Sequence, residues 1–127
     1  MRLKEQIAQL DTKQKFYPTT EDIDYWFKQI NRTIFLGELV PFPIIKIRRM
    51  HNIWGCVLYD DEIRQSTLEL HMCPNYPSEK FFVNVLAHEM VHKWQMDINI
   101  DTGNHNKHFF SWRETYAEHG LILTSKV

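Results

Sequence analysis

Hydrophobic residues recur at helical spacing in the first third of the chain. Five of them form one apolar stripe: Ile23, Trp26, Phe27, Ile30 and Ile34. Thr19 precedes the stripe, and Asp22 lies three residues after Thr19, which is a capping-box pattern. Gly37 offers a C-terminal cap. The pattern predicts an amphipathic core helix that runs from the Thr19 cap to about Leu36.

Between residues 40 and 72 the period changes to two, the spacing of half-buried strands. Alternating apolar positions predict a first strand around 45–47, a second over 54–59 and a third over 67–72. Asp60-Asp61 indicates a turn between the second and third strands. Because the connections are short, we expect the three strands to form an antiparallel meander.

Two further helices are predicted in the last part of the chain. Ser78 caps a long helix from Glu79 to about Asp97, and a polar loop then leads to a helix from His108 to about His119. Residues 1–17 are polar and only weakly patterned. The order of helix, three strands, helix and helix predicts an α+β domain.

Composition excludes several classes of protein. The chain has 127 residues, enough for one hydrophobic core, and 43% hydrophobic residues with only 4 Gly and 5 Pro argue against disorder and fibrous repeats. No apolar run is long enough to span a bilayer, and the first residues lack the apolar stretch of a secretory signal. We therefore expect no membrane association and an intracellular location, cytoplasmic, or nucleoid or nuclear if the protein associates with DNA.

Cysteine usage and charge narrow the classes further. Cys56 and Cys73 form no CxxC motif, which excludes a disulfide framework and a four-cysteine zinc ribbon. The formal net charge is −1, which supplies no global attraction to nucleic acid. The chain has 7 His, and neutral imidazole is the commonest metal ligand in proteins. The number of histidines therefore makes metal binding a function to consider.

The second long helix contains an HExxH motif, His88-Glu89-Met90-Val91-His92. Residues four apart lie one above the other on a helix, so the two imidazoles reach one tetrahedral Zn²⁺. Glu89 is rotated by about 100° from His88, beside the position where a zinc-activated water would lie. On a helical wheel all three lie away from the apolar arc. The motif therefore predicts two metal ligands and a general base rather than core histidines.

A catalytic zinc needs a third protein ligand and an open fourth position. The metzincin spacing fails, because Gln95 and Ile98 stand at its glycine and third-histidine positions. His105, in the loop, and His108, at the start of the next helix, are the histidine candidates. That helix also offers two carboxylates, which point away from its expected core face and are more simply solvated charges: Glu114 and Glu118. The expected core face carries Phe109, Trp112 and Tyr116.

Three parts of the chain together resemble one known family. They are residues 26–39 (WFKQINRTIFLGEL), residues 50–59 with 67–70, and LAHEMVHKW at 86–94 followed by NHNKHF at 104–109. With these motifs the chain resembles the SprT-like metallopeptidase family, which includes Spartan-type DNA–protein crosslink proteases. The HEMVH motif with the downstream His-x-x-x-Phe is the most specific part of this resemblance.

The resemblance implies a fold and a set of site residues. It implies a zincin-like minimal domain over residues 18–127, with residues 1–17 as an N-terminal extension. Carried over by position, it makes His88, His92 and His105 the ligands of Zn²⁺ and Glu89 the general base. Asn104 stands where the family has a glycine before the third histidine.

These observations favour a zinc-dependent endopeptidase that acts on proteins or peptides, with DNA-associated proteins as the substrate class that the resemblance implies. Tyr116 and His108 are candidates for stabilising the oxyanion of the transition state. An exposed sheet edge would align an extended peptide. The alternative is a non-catalytic, zinc-stabilised module that binds protein or DNA, with a fourth protein ligand in the open position.

A small basic cluster raises the question of DNA contact. Lys46, Arg48 and Arg49 lie close together in the sequence, and Trp54 or Trp112 offers a ring that stacks on an unpaired base. Single-stranded DNA is therefore one partner to consider. The competing interpretation is a solvated strand face with tryptophans in the core, which the near-zero net charge favours.

Overall fold

The computed structural model describes residues 1–60, 64–101 and 103–125. Its helices are α1 (Leu3–Ala8), α2 (Thr20–Ile34), α3 (Glu79–Asp97), α4 (Lys107–Phe110) and α5 (Arg113–Glu118). Its strands are β1 (Ile44–Ile47), β2 (Gly55–Asp60) and β3 (Arg64–Met72). The protein has the predicted α+β architecture, in which α3 packs against α2 on one side and against β2 and β3 on another.

Helix α2 begins as predicted. The Thr19 side chain accepts a hydrogen bond from the Asp22 backbone, and the Asp22 carboxylate accepts one from the Thr19 backbone at 2.9 Å. All five residues of the apolar stripe are buried. The helix ends at Ile34, two residues before the predicted end, because the backbone turns left-handed at Leu36 and Gly37 with φ of 55° and 77°.

The sheet is mixed, so the predicted antiparallel meander is wrong for β1. Strand β3 lies in the centre, paired antiparallel with β2 and parallel with β1. The connection over residues 48–54 carries the chain past the position that β3 occupies, instead of folding back as a hairpin. Of the turn predicted at Asp60-Asp61, Asp61 lies outside the described residues.

Helix α3 has the predicted bounds, with the Ser78 hydroxyl accepting from the Phe81 backbone at 3.1 Å. It is buried on nearly every side, including the side that carries the HExxH residues: Glu89 is 2% exposed. The helical wheel sets these residues apart from the apolar arc, whereas in the structure both sides of the helix are covered.

The predicted helix from His108 to His119 is interrupted. Helices α4 and α5 are separated at residues 111–112, where the Ser111 hydroxyl donates to the His108 carbonyl at 2.6 Å and competes with regular helical bonding. The predicted core face is confirmed for Phe109 and Tyr116, which are fully buried. Trp112 is half-buried and packs on the ring of Phe35 at a centroid distance of 4.6 Å.

The segment before Pro18 also contacts the core. Leu3 and Ile7 of α1 are buried, and Phe16 forms an isolated antiparallel bridge with Tyr76. The division into an extension over residues 1–17 and a domain over 18–127 stays a prediction. Among the helices that the structure describes, none has the length and apolar character needed to cross a membrane.

Candidate metal centre

Three histidines from two segments converge on one point. His88 and His92 lie one turn apart on α3, and His105 lies in the loop before α4. Their Nε2 atoms form a triangle whose three sides are each 3.2 Å. His88 and His92 are buried, whereas His105 is on the solvent side of the cluster.

This triangle fits a tetrahedral metal ion. With metal–nitrogen bonds of about 2.0–2.1 Å, tetrahedral ligands lie about 3.3–3.4 Å apart, close to the observed separation. If all three Nε2 atoms carry lone pairs, the neutral imidazoles repel one another at this distance, and a shared cation would turn this repulsion into attraction. The three histidines can therefore hold a metal ion, and imidazole ligands are compatible with zinc.

Burial keeps the cluster in the neutral form that binds metals. It lowers the pKa of His88 to about 3, with further lowering by His92 and His105, while the Thr124 backbone acts in the opposite direction. Burial also lowers the pKa of His92 and of His105. No proton therefore has to be displaced when a cation binds near neutral pH.

Glu89 lines a cleft beside the cluster. The cleft has a volume of about 220 Å³, and His88, His92 and β2 residues also line it. Burial raises the pKa of Glu89 to about 8. The carboxyl group is thus a base whose proton affinity suits transfers near neutral pH.

Gly55 explains how β2 comes so close to Glu89, a role that the sequence alone did not reveal. A Cβ at this position would lie 3.1 Å from Val85 Cγ1 and 3.4 Å from Glu89 Cγ. The glycine therefore permits close approach of the strand to α3 beside Glu89.

Sequence reasoning also missed the contacts of Gln95, noting only that it replaces the metzincin glycine. Its side chain is buried and contacts both His92 and the loop that carries His105. A glutamine one turn beyond the second histidine is a possible sequence signal of a residue that contacts the site. Its partners in the loop are distant in sequence, so the spacing does not identify them.

The other ligand candidates are placed away from this cluster. Among the described residues, the group that can hold a metal consists of His88, His92 and His105. His108, Glu114 and Glu118 are exposed. The Tyr116 hydroxyl is buried and donates to the Ala87 carbonyl at 2.6 Å. Oxyanion stabilisation by Tyr116 or His108 stays a prediction.

The basic cluster is partly engaged within the protein. Lys46 Nζ lies 3.3 Å from a Glu69 carboxylate oxygen, and Arg48 Nε donates to His71 Nδ1 at 2.7 Å. Arg49 accepts through its carbonyl a hydrogen bond from the Arg48 guanidinium at 3.5 Å. Nucleic-acid contact through Lys46, Arg48 and Arg49 stays a prediction.

The tryptophans considered for base stacking pack against aromatic neighbours. The Trp54 ring contacts Tyr76 and Phe81 at centroid distances of 5.4 and 5.1 Å. Trp112 contacts Trp94 at 5.3 Å. These contacts hold both rings within the fold.

Comparison with known proteins adds one match. The model of the SprT-like family matches residues 23–126, a span that contains the histidine cluster and Glu89. Searches among curated proteins and among solved structures returned no match.

Proposed function

The chain belongs to the SprT-like family, and from this premise we propose that it is a zinc-dependent endopeptidase. His88, His92 and His105 would hold the metal and Glu89 would be the general base. The observation that carries the proposal is the triangle of Nε2 atoms, 3.2 Å on each side, next to the cleft that Glu89 lines. A structural zinc site has four protein ligands, whereas the described cluster has three, which favours an open catalytic position.

The residues of the site divide the chemistry between them. When bound, Zn²⁺ would polarise the scissile carbonyl and acidify a water molecule. The Glu89 carboxylate would take a proton from that water as its oxygen bonds to the carbonyl carbon. Glu89 would then deliver the proton to the amide nitrogen as the C–N bond breaks, which releases an amine and a carboxylate.

The position of β2 supports a peptide as substrate. In the sheet that the described residues form, β2 is an edge strand, and Gly55, Cys56 and Val57 line the cleft. An extended peptide that pairs with this edge would lie across the site with main-chain hydrogen bonds and little dependence on its side chains. This arrangement suits a protease that acts on proteins of varied sequence.

DNA-associated proteins are a narrower proposal, and it rests on the family resemblance. Contact with single-stranded DNA through Lys46, Arg48 and Arg49 would be electrostatic, so binding should weaken as salt is added. Binding that is unaffected by salt, or unchanged when the three residues are replaced together by Ser, would argue against this interface.

Replacement of Glu89 by Gln tests the peptidase proposal. We expect Glu89→Gln to bind zinc and remain folded but to cleave a protein substrate at least 10²-fold more slowly, because the amide cannot accept the proton. Cleavage would be followed with an unfolded basic protein, with and without DNA and a chelator. Glu114→Gln, which changes an exposed glutamate on α5, is the matched control. Undiminished cleavage by Glu89→Gln would refute the mechanism.

A further inference from the structure

Gln95 is a fully buried polar residue that lies one turn beyond His92 on α3. An amide buried at this depth must satisfy both its oxygen and its nitrogen. Each end of the Gln95 side chain does so on a different part of the metal centre, and neither contact belongs to the catalytic steps described above.

The oxygen end contacts a metal ligand. Gln95 Oε1 lies 2.8 Å from His92 Nδ1, and an amide oxygen only accepts hydrogen bonds. The proton of neutral His92 is therefore on Nδ1. This tautomer leaves the lone pair on Nε2, the atom that lies 3.2 Å from the Nε2 atoms of both other histidines.

The nitrogen end contacts the loop that carries His105. Gln95 Nε2 donates to the Asn104 carbonyl at 2.8 Å, to Asp101 Oδ2 at 3.1 Å and to Asn106 Oδ1 at 3.2 Å. All three partners are acceptors, which defines the orientation of the amide. Since His105 lies between Asn104 and Asn106, the contacts hold the loop on both sides of the third histidine.

Asn106 extends this connection to α4. Its side-chain oxygen also accepts from the backbone of His108 at 3.0 Å and of Phe109 at 3.1 Å, which caps the helix. The Phe109 ring packs against all three histidine rings, with centroid distances of 4.8 to 4.9 Å. One side chain on α3 is thus linked to the loop, to the cap of α4 and to the ring that supports the cluster.

We propose that Gln95 is a positioning residue that couples His92 to the His105 loop and so prearranges the three ligands before metal binds. The inference rests on the proposed zinc function. Glutamine suits the role because one neutral group both accepts and donates. An aliphatic residue of similar size would release His92 and the loop together.

The test compares zinc affinity among purified full-length variants by competition with a chromogenic chelator. Gln95→Leu removes both contacts. Asn106→Ser removes the amide that contacts Gln95 from the loop side, and its hydroxyl still caps α4. Asn31→Leu is the matched control, because the Asn31 amide likewise joins a helix to a later loop, donating to the Leu39 carbonyl at 2.8 Å and accepting from its N–H at 3.0 Å. Thermal unfolding of the metal-free proteins measures the general loss of stability.

We expect Gln95→Leu to weaken zinc binding about 10- to 100-fold and Asn106→Ser to weaken it in the same direction, while Asn31→Leu leaves it unchanged. The Co²⁺-substituted protein should lose intensity in its tetrahedral absorption bands only in the two site variants. If Gln95→Leu does not fold, Asn106→Ser alone decides. Zinc affinity and Co²⁺ spectra like those of the control would overturn this inference and leave the peptidase proposal intact. Failure of the wild type to bind zinc would overturn both.

Discussion

Glu89 makes the stability of the metal-free protein depend on pH. Burial raises the pKa of this carboxyl group from 4.5 to about 8. Below pH 4.5 both the folded and the unfolded protein hold the proton, so the group favours neither state. Between the two values only the unfolded state ionises, and folding stability falls as pH rises. Above the pKa of the folded state both states are ionised, and the folding stability falls no further.

Replacement of Glu89 by Gln should therefore stabilise the metal-free protein more at pH 8 than at pH 5. We expect the difference in free energy of unfolding between variant and wild type to grow by about 2–4 kcal/mol over this range. Urea unfolding in the presence of a chelator measures it at both pH values. The lowered pKa of His88 acts in the opposite sense, with stability lost as pH falls from 6.5 toward about 3, and it is common to both proteins. An equal difference at pH 5 and pH 8 would contradict the assigned pKa.

Single residues differ in how far the sequence predicts them. The His88, Glu89 and His92 arrangement depends on helical spacing alone, and the structure places the two histidines together as expected. For the third ligand the sequence left His105, His108 and two glutamates as candidates, and the family resemblance favoured His105. The contacts of Gln95 depend on how a loop folds back onto α3, which no local pattern encodes.

Elements were predictable where their signals are local. The bounds of α3 follow from its cap and its composition, and the start of α2 follows from a capping box. Strand pairing is different, because alternation identifies a strand but not its neighbour. Strand β1 pairs in parallel with β3, and because the choice of neighbour is not encoded in the alternation, the predicted antiparallel meander was wrong for this strand. At the break between α4 and α5 the Ser111 hydroxyl donates to the His108 carbonyl, a side-chain contact that the hydrophobic spacing does not encode.

The contact between β2 and α3 supports a prediction for Gly55. Replacement by alanine adds a Cβ 3.1 Å from Met72 Sδ and from Val85 Cγ1 and 3.4 Å from Glu89 Cγ, so these side chains, including that of Glu89, must shift by a few tenths of an ångström. We expect Gly55→Ala to lower kcat/KM for peptide cleavage about tenfold by displacing Glu89, and to cost about 1–3 kcal/mol of stability. Zinc affinity should change little, because Glu89 is not a ligand in the proposed site.

Gly37→Ala is the control for this change. Gly37 has a φ of 77° and no heavy atom within 4 Å of the added Cβ, so alanine there costs stability through backbone strain alone. We expect it to leave kcat/KM unchanged at temperatures where the protein is folded. Equal kcat/KM in Gly55→Ala and wild type would show that the strand does not position the base.

On the scale of the whole molecule, the three histidines that could hold a metal ion come from two segments, α3 and the loop before α4. His88 and His92 belong to α3, and His105 lies in the loop leading to α4 and α5. A metal ion that binds all three stabilises the folded state because the unfolded chain does not present them together. Because the formal net charge is only −1, long-range charge repulsion does not oppose this arrangement.

Zinc should therefore raise the stability of the entire fold, and His105 should be required for most of the effect. At a free zinc concentration about 100 times the Kd, mass action predicts an increase of about 2.7 kcal/mol in the free energy of unfolding. We expect His105→Ala to lose most of this increase, since two ligands on one helix leave the loop unattached, whereas exposed His51→Ala should retain it. Chemical denaturation at pH 7.5 with and without zinc measures both. A zinc-induced increase that is the same in the two variants would remove His105 from the site and return His108, Glu114 and Glu118 to consideration as the third ligand.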